Sequence, residues 1–176
     1  MRWERLFEDL AAQLTEAELD GMRSEVADRT RRELAKIRLR DRVRAALGVH
    51  VAMRVRGVGP INGTVSGAGP DWVLLAEPTG TEALVPLTAV VQVTGLGTRA
   101  SPPDGRVSDR LGLGYVLRGI ARDRAEVVVT LIDGSALVGT IDRVGADHVD
   151  IAERSPEGLA TWVAPFAGVG AVRRLR

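Results

Sequence analysis

Apolar and polar positions alternate along two stretches of this chain, and the two stretches match. Val51, Met53, Val55, Ile61 and Val65 fall on one face of short period-two runs, and Val127, Val129, Leu131, Leu137 and Ile141 do the same. Residues 51–77 align without a gap on residues 127–153: Val51, Gly63, Thr64, Gly69, Asp71, Val73, Ala76 and Glu77 recur as Val127, Gly139, Thr140, Gly145, Asp147, Val149, Ala152 and Glu153. After a short insertion in the second stretch, Pro86, Val90 and Val93 match Pro165, Val169 and Val172. Period-two alternation predicts strands with one face buried. Repetition over this length predicts two copies of one small β domain.

Each copy reads as five short strands. In the second copy they are Glu126–Ile132, Ala136–Arg143, His148–Glu153, Ala160–Ala164 and Val169–Arg174. Asp133-Gly134 opens the first turn, and Pro165–Gly168 is a single tight turn before the last strand, as Pro86–Ala89 is in the first copy. The register of the repeat predicts a pseudo-twofold or side-by-side pair. Divergence is greatest at Arg56/Ile132, Gly57/Asp133 and Leu74/Asp150, so one copy is expected to bind a partner while the other props it.

The period changes before residue 49. Trp3, Leu6, Phe7, Leu10 and Leu14 have helical spacing, and Thr15-Glu16-Ala17-Glu18 is a capping box. A short helix is expected to end near residue 13. A long one should run from residue 16 to Gly48, roughly 45 Å at the usual rise, with Glu25–Arg29 and Asp28–Arg32 as i,i+4 pairs. Thr94–Val107 is rich in Gly, Pro and Ser and reads as a linker. Ser108 is the expected cap of a helix reaching Arg122, weakened by Gly112, Gly114 and Gly119. The expected organisation is therefore a helical arm over 1–48, a first barrel over 49–97, a linker over 98–107, and a helix plus second barrel over 108–176.

Composition narrows the chemistry. Among 176 residues there is no cysteine, which excludes disulfides, thiolate metal sites and a cysteine nucleophile. MRWERLFEDL places acids where a signal peptide would carry its apolar stretch, and no apolar run is long enough to span a bilayer. A cytoplasmic protein without a membrane partner is expected. Lys36 is the sole lysine; the arginine, alanine, valine and glycine usage suits a GC-rich bacterial genome. The net charge of +1 hides an asymmetry: residues 4–28 are mainly acidic, and residues 29–44 are mainly basic. Such asymmetry points to an anionic partner or to self-pairing.

A helix followed by five bent strands, with a tight turn before the last, resembles the Sm/LSm (SH3-like) small-barrel fold. The second copy carries the closer match: VTLIDGSALVGTIDRVGADHVDI is similar to the first Sm motif, with Gly134 and Gly139 where that motif has glycine. The resemblance covers roughly residues 51–93 and 127–174. It implies a mainly β fold with an α-helical N-terminal arm and two tandem five-stranded barrels, each preceded by a helix. It does not carry over the family's RNA pocket. Gly145 stands near the place of the pocket Asp and His148 near that of the Asn, and VPLTAVVQV and APFAGVGAV lack the Arg-Gly element. What it implies is a small barrel used as a binding module.

Candidate residues follow from charge and rings. Arg29, Arg32, Lys36 and Arg40 step by three and four, so on one helix they would form a row able to lie along a phosphate backbone. Arg173, Arg174 and Arg176 would extend that patch. The bland alternative is a solvated face, or pairing with the acidic segment 4–28. Trp72 and His148 occupy equivalent places, where a ring can stack on a base; the alternative for Trp72 is a cover over the open end of a barrel. His50 and His148 sit in different copies. No HExxH, P-loop or Ser-His-Asp spacing occurs, so no catalytic residue, metal site or cofactor is expected. The expected function is non-catalytic binding of RNA or DNA through the arginine-rich helix. The competing expectation is a protein-interaction scaffold that oligomerises through residues 1–48 and offers an open strand edge to a peptide.

Overall fold

The computed structural model describes residues 22, 25, 28–102, 111–155 and 158–175. The expected short helix at the N-terminus, the capping box at Thr15, Ser108 and Arg176 lie outside the described residues, so the helical arm is described only in part. The chain divides into two compact units, Met1–Ile37 and Arg38–Arg176. In the first, residues 28–36 form helix α1, with exposed side chains throughout.

The long helix expected from residue 16 to 48 does not exist as one element. Residues 37 and 38 leave the helix, and α2 begins afresh at Leu39–Ala45. The reason is local. Arg38 is extended (φ −98°, ψ 154°), and its amide donates to Asp41 Oδ2 at 3.1 Å, the carboxylate half of a capping box, since the Arg38 side chain has no acceptor to complete it.

The second unit is mainly β: β1 His50–Val55, β2 Gly59–Ala68, β3 Trp72–Ala76, β4 Glu82–Pro86, β5 Val90–Thr94, β6 Glu126–Leu131, β7 Ala136–Val144, β8 His148–Ser155, β9 Gly158–Pro165 and β10 Val169–Arg174. Helix α3, Leu113–Arg122, lies between β5 and β6. The expected strands thus occur with ends shifted by a residue or two, and the tight turns are 3-10 turns at Leu87–Ala89 and Phe166–Gly168.

The two copies are the same to the residue in their pairing. Val51 faces Gly63 as Val127 faces Gly139, and Val73 faces Val85 as Val149 faces Ala164. The bulge at Ser66 recurs at Asp142, and the one at Val91 recurs at Gly170. Gly63 and Gly139 are required by sterics: a Cβ on Gly63 would lie 2.6 Å from the Ala76 carbonyl oxygen, and Gly139 is closer still to that of Ala152.

Two separate closed barrels were expected; the strands instead form one open ten-stranded antiparallel sheet, β5-β1-β2-β3-β4-β10-β6-β7-β8-β9. Its order is one five-strand unit written twice. The units join where β4 pairs β10, with Val172 opposite Leu84 and Arg173 opposite Ala83. The last-but-one strand of one copy meets the last strand of the other, so the relation is head-to-tail. A twofold would pair β4 with β9.

Head-to-tail joining gives β3 and β4 two buried faces. Val73, Leu75, Ala83 and Val85 enter a first core with Val51, Met53, Ile61, Val43 of α2 and Ala46 just after that helix. Trp72, Leu74 and Leu84 point the other way, into a second core with Leu113 and Leu117 of α3 and Val127, Val149, Ile151 and Val172. A strand buried on both faces reads as a continuous apolar run, as WVLLA does. Helix α3 starts at Leu113, later than expected, and its cap comes from far away: the Leu113 amide donates to Asp71 Oδ1 at 2.9 Å. Gly114 suits the packing, since a Cβ there would be 3.3 Å from the Phe166 ring.

Candidate binding site at the open edge of the second repeat

The basic row ends early. Arg29, Arg32 and Lys36 are exposed on α1, but Arg40 stands beyond the break, in the second unit. The four residues therefore do not share one helix face. Lys36 Nζ is 2.7 Å from Glu33 Oε1, and Arg31 pairs with Asp28, in place of the expected i,i+4 pairs. Arg40 is half-buried with Nε 3.7 Å from Asp41 Oδ1. Arg29 and Arg32 have no ion pair among the described residues.

The C-terminal arginines are engaged elsewhere. Arg173 grips Glu77 of the first copy, Nε to Oε2 at 2.8 Å and Nη2 to Oε1 at 3.1 Å. That bidentate contact holds the Glu77 carboxyl below its ordinary range, with Thr81 Oγ1 also donating to it. Arg174 Nη2 lies 3.4 Å from Asp123 Oδ2. Arg173 is thus an internal clamp across the junction of the two copies.

The two rings stand in different surroundings. Trp72 is 8% exposed, inside the second core, and its indole N–H donates to the Leu111 carbonyl at 2.8 Å. It covers the outer face of β3 and not a barrel mouth. His148 is half-buried, with Nδ1 2.9 Å from Asp147 Oδ1, and this hydrogen bond keeps the Asp147 carboxyl below its usual range. Each ring lies across its copy's glycine, Gly69 or Gly145, where a Cβ would collide with it. Among the described residues no cluster of His, Asp and Glu has metal-binding geometry.

Two hollows accompany these groups. A cavity of about 140 Å³ lies between α3 and the outer face of the junction, lined by Leu74, Leu84, Val116, Ile120 and Val172, with Glu82 and Arg174 also on its wall. A groove of about 380 Å³ runs between α2 and residues 95–99. Arg42 Nη2 donates to the Gly97 carbonyl at 2.9 Å and Arg44 Nη1 to that of Ser101 at 3.0 Å. These arginines pin the segment after β5 to α2.

The feature that the residues alone did not single out is β9. It is the edge of the sheet in the second copy, and among the described residues its backbone has no partner strand on one side. In the first copy the matching edge strand, β4, is covered by β10, and Leu84 is 2% exposed. Its counterpart Val163 is 63% exposed, and Trp162 beside it is 51% exposed. The outer face of β8 carries His148 and Asp150 where β3 carries Trp72 and Leu74. Trp162 Nε1 donates to Glu153 Oε2 at 2.8 Å. Glu153 is the repeat partner of Glu77, the acid that receives Arg173. The signal was present in the alignment, Glu77 with Glu153 and Leu84 with Val163. It has meaning only once it is known which edge is covered.

Edge strands with exposed apolar residues and no blocking lysine or proline along their length recruit other strands. The run Leu159–Ala164 contains neither charge nor proline. The site can therefore supply backbone hydrogen bonds, an apolar contact at Val163 and an anionic contact at Glu153. No helix among the described residues is long and apolar enough to cross a membrane. No protein-family model matches the chain, and no curated protein matches it.

Proposed function

We propose that this chain is a non-catalytic interaction protein that captures a protein partner along its open sheet edge. The observation that carries the reading is β9: an unpaired edge strand whose Val163 and Trp162 are exposed, while the equivalent strand β4 is covered by β10. Strand addition needs no chemistry beyond backbone pairing and a few side-chain contacts. Each half is read as an Sm-like unit. Its support is the strand order, last strand beside first, repeated in both copies with the same bulges.

The test is selection from a library of random extended peptides on the full chain and on Val163→Asp. Peptides enriched on the wild type and lost on the variant support the reading. A library that yields no ligand overturns it.

Nucleic-acid binding is the second reading, favoured by one observation: Arg29, Arg32 and Lys36 are exposed on a single helix. Its leading form used Arg29, Arg32, Lys36 and Arg40 on that helix, extended by Arg173, Arg174 and Arg176, and Arg40 lies beside Asp41 while Arg173 is held by Glu77. Anisotropy titration with single-stranded RNA and duplex DNA at ~50 and ~200 mM salt tests it. Three neutralised phosphates would weaken binding by roughly fortyfold over that range. Absence of binding at low salt removes this reading.

A further inference from the structure

The junction inside the chain shows what a strand must carry to lie on an edge of this type. Val172 of β10 stands opposite Leu84, and both are 2% exposed. Arg173 stands opposite Ala83 and places its guanidinium on Glu77. Gly170 lets the first copy's turn close in, since a Cβ there would lie 2.8 Å from both the Arg56 carbonyl oxygen and Val58 Cγ2. The receiving half of that junction occurs again at β9. Val163 takes the place of Leu84, with no described strand on the outer side of β9, and Glu153, on the neighbouring strand β8, takes that of Glu77.

The simplest occupant would be β5 of a second copy, the repeat partner of β10. Three residues bar it. Thr94 stands where β10 has Arg173, so Glu153 would receive no cation. Val91 stands where β10 has Gly170, so a side chain would fill the space that the turn occupies. The third obstacle is the turn itself. In the internal junction Gly57, at φ +72°, passes so close to the second copy that a Cβ would lie 2.7 Å from Ile132 Cα. Its counterpart Asp133 sits in a turn closed on itself, with Oδ1 accepting from the Ser135 amide at 2.9 Å and its hydroxyl at 2.7 Å. A second copy therefore meets both a collision and an unmatched acid. A free extended segment has no sheet behind it and avoids the collision.

We infer that the β9 edge binds an extended segment of another polypeptide with the pattern Gly-x-apolar-Arg, running antiparallel to β9. This rests on the interaction reading above and names the partner's chemistry. The apolar residue covers Val163, and the arginine pairs with Glu153, displacing or sharing the Trp162 indole N–H. Backbone pairing supplies the affinity, and the arginine and glycine supply the selectivity. In β10 itself the pattern reads Gly170-Ala171-Val172-Arg173.

The experiment uses a labelled peptide, GVGAVRRL, copied from residues 168–175, titrated against the full chain by fluorescence anisotropy. The expected result is saturable binding. Replacing the arginine equivalent to Arg173 by Glu should weaken it by about tenfold, as loss of one charge-assisted pair does. On Glu153→Arg, a change at a half-buried residue outside both cores, the preference should reverse toward the Glu peptide. Equal binding of both peptides, or an unchanged preference on Glu153→Arg, overturns the inference. If library ligands are lost on Val163→Asp but carry no arginine, the inference fails while the interaction reading stands. An empty library removes both. Concentration-dependent self-association abolished by Val163→Asp would also overturn the inference, because a second copy would then be the occupant.

Discussion

The two copies share a strand order, a register and their bulges, yet their outer faces differ. In the first copy Trp72, Leu74 and Leu84 lie beneath α3 and β10; in the second, the same places hold His148, Asp150 and Val163, of which Val163 is exposed while His148 and Asp150 are partly buried. Pairing inward residues are conserved in type between copies, since each must fill its own core. The outward residues follow whatever covers them. Divergence within the repeat therefore maps the covered side of one copy and the open side of the other. Ile132, one of the divergent residues, packs against the first core, and Gly57, another, crosses its backbone.

The sharpest way to break this comparison is to make the same change in both copies. Leu84→Ala removes a side chain that is 2% exposed at the junction, and it should cost about 2–4 kcal/mol. Val163→Ala, at the matching place, should cost less than about 0.5 kcal/mol because its side chain is largely in water. Denaturant unfolding of both variants measures the difference. Similar losses would mean that β9 is covered in solution.

The second change tests the clamp. Glu77→Gln leaves the Arg173 guanidinium without its anion across the junction, with an expected loss of about 1–3 kcal/mol at neutral pH. The sign of its pH dependence follows from the lowered folded pKa of Glu77, caused first by the Arg173 hydrogen bond. Its contribution is present above the ordinary glutamate range and fades as pH falls through the lower folded value. Wild type and Glu77→Gln should therefore converge in stability in strong acid and separate as pH rises. Parallel curves across that range would show that the pair does not hold the copies together.

Much of this fold was legible in the residues. Period two located the strands, and the alignment of Gly63 with Gly139 and of Pro86 with Pro165 placed equivalent turns. Three things were not legible, two of them because they depend on residues far apart in the chain. The joining of β4 to β10 makes one sheet of two units, and β4 alone does not show which of two last strands will cover it. The break at Ile37–Arg38 follows from Asp41 capping an arginine, a residue type that sequence rules do not place at a helix start. The late start of α3 depends on Asp71, 42 positions before Leu113. For the site, the arginine row was visible as spacing, but its separation at residue 37 and the use of Arg173 as a clamp were not. The open edge was written as Val163 and Glu153, and only the covered copy gives those residues their meaning.

Asp71 and Asp147 provide the finest test of the comparison, since they are the same residue at the same place. Both backbone carbonyls accept the same kind of hydrogen bond, from the Leu87 amide in one copy and the Phe166 amide in the other. Their side chains part company. Asp71 caps α3 through the Leu113 amide, beside the Trp72 bond to Leu111, whereas Asp147 reaches only His148 and is 89% exposed. Asp71→Ala should therefore lower stability by about 1 kcal/mol, the usual effect of losing a helix cap. It should also speed amide hydrogen exchange in the first turn of α3. Asp147→Ala should leave the unfolding midpoint and that exchange pattern where they are. If the second substitution slowed or quickened exchange in α3, the helix would be answering to both copies, and the division between a covered and an open face would have to be redrawn.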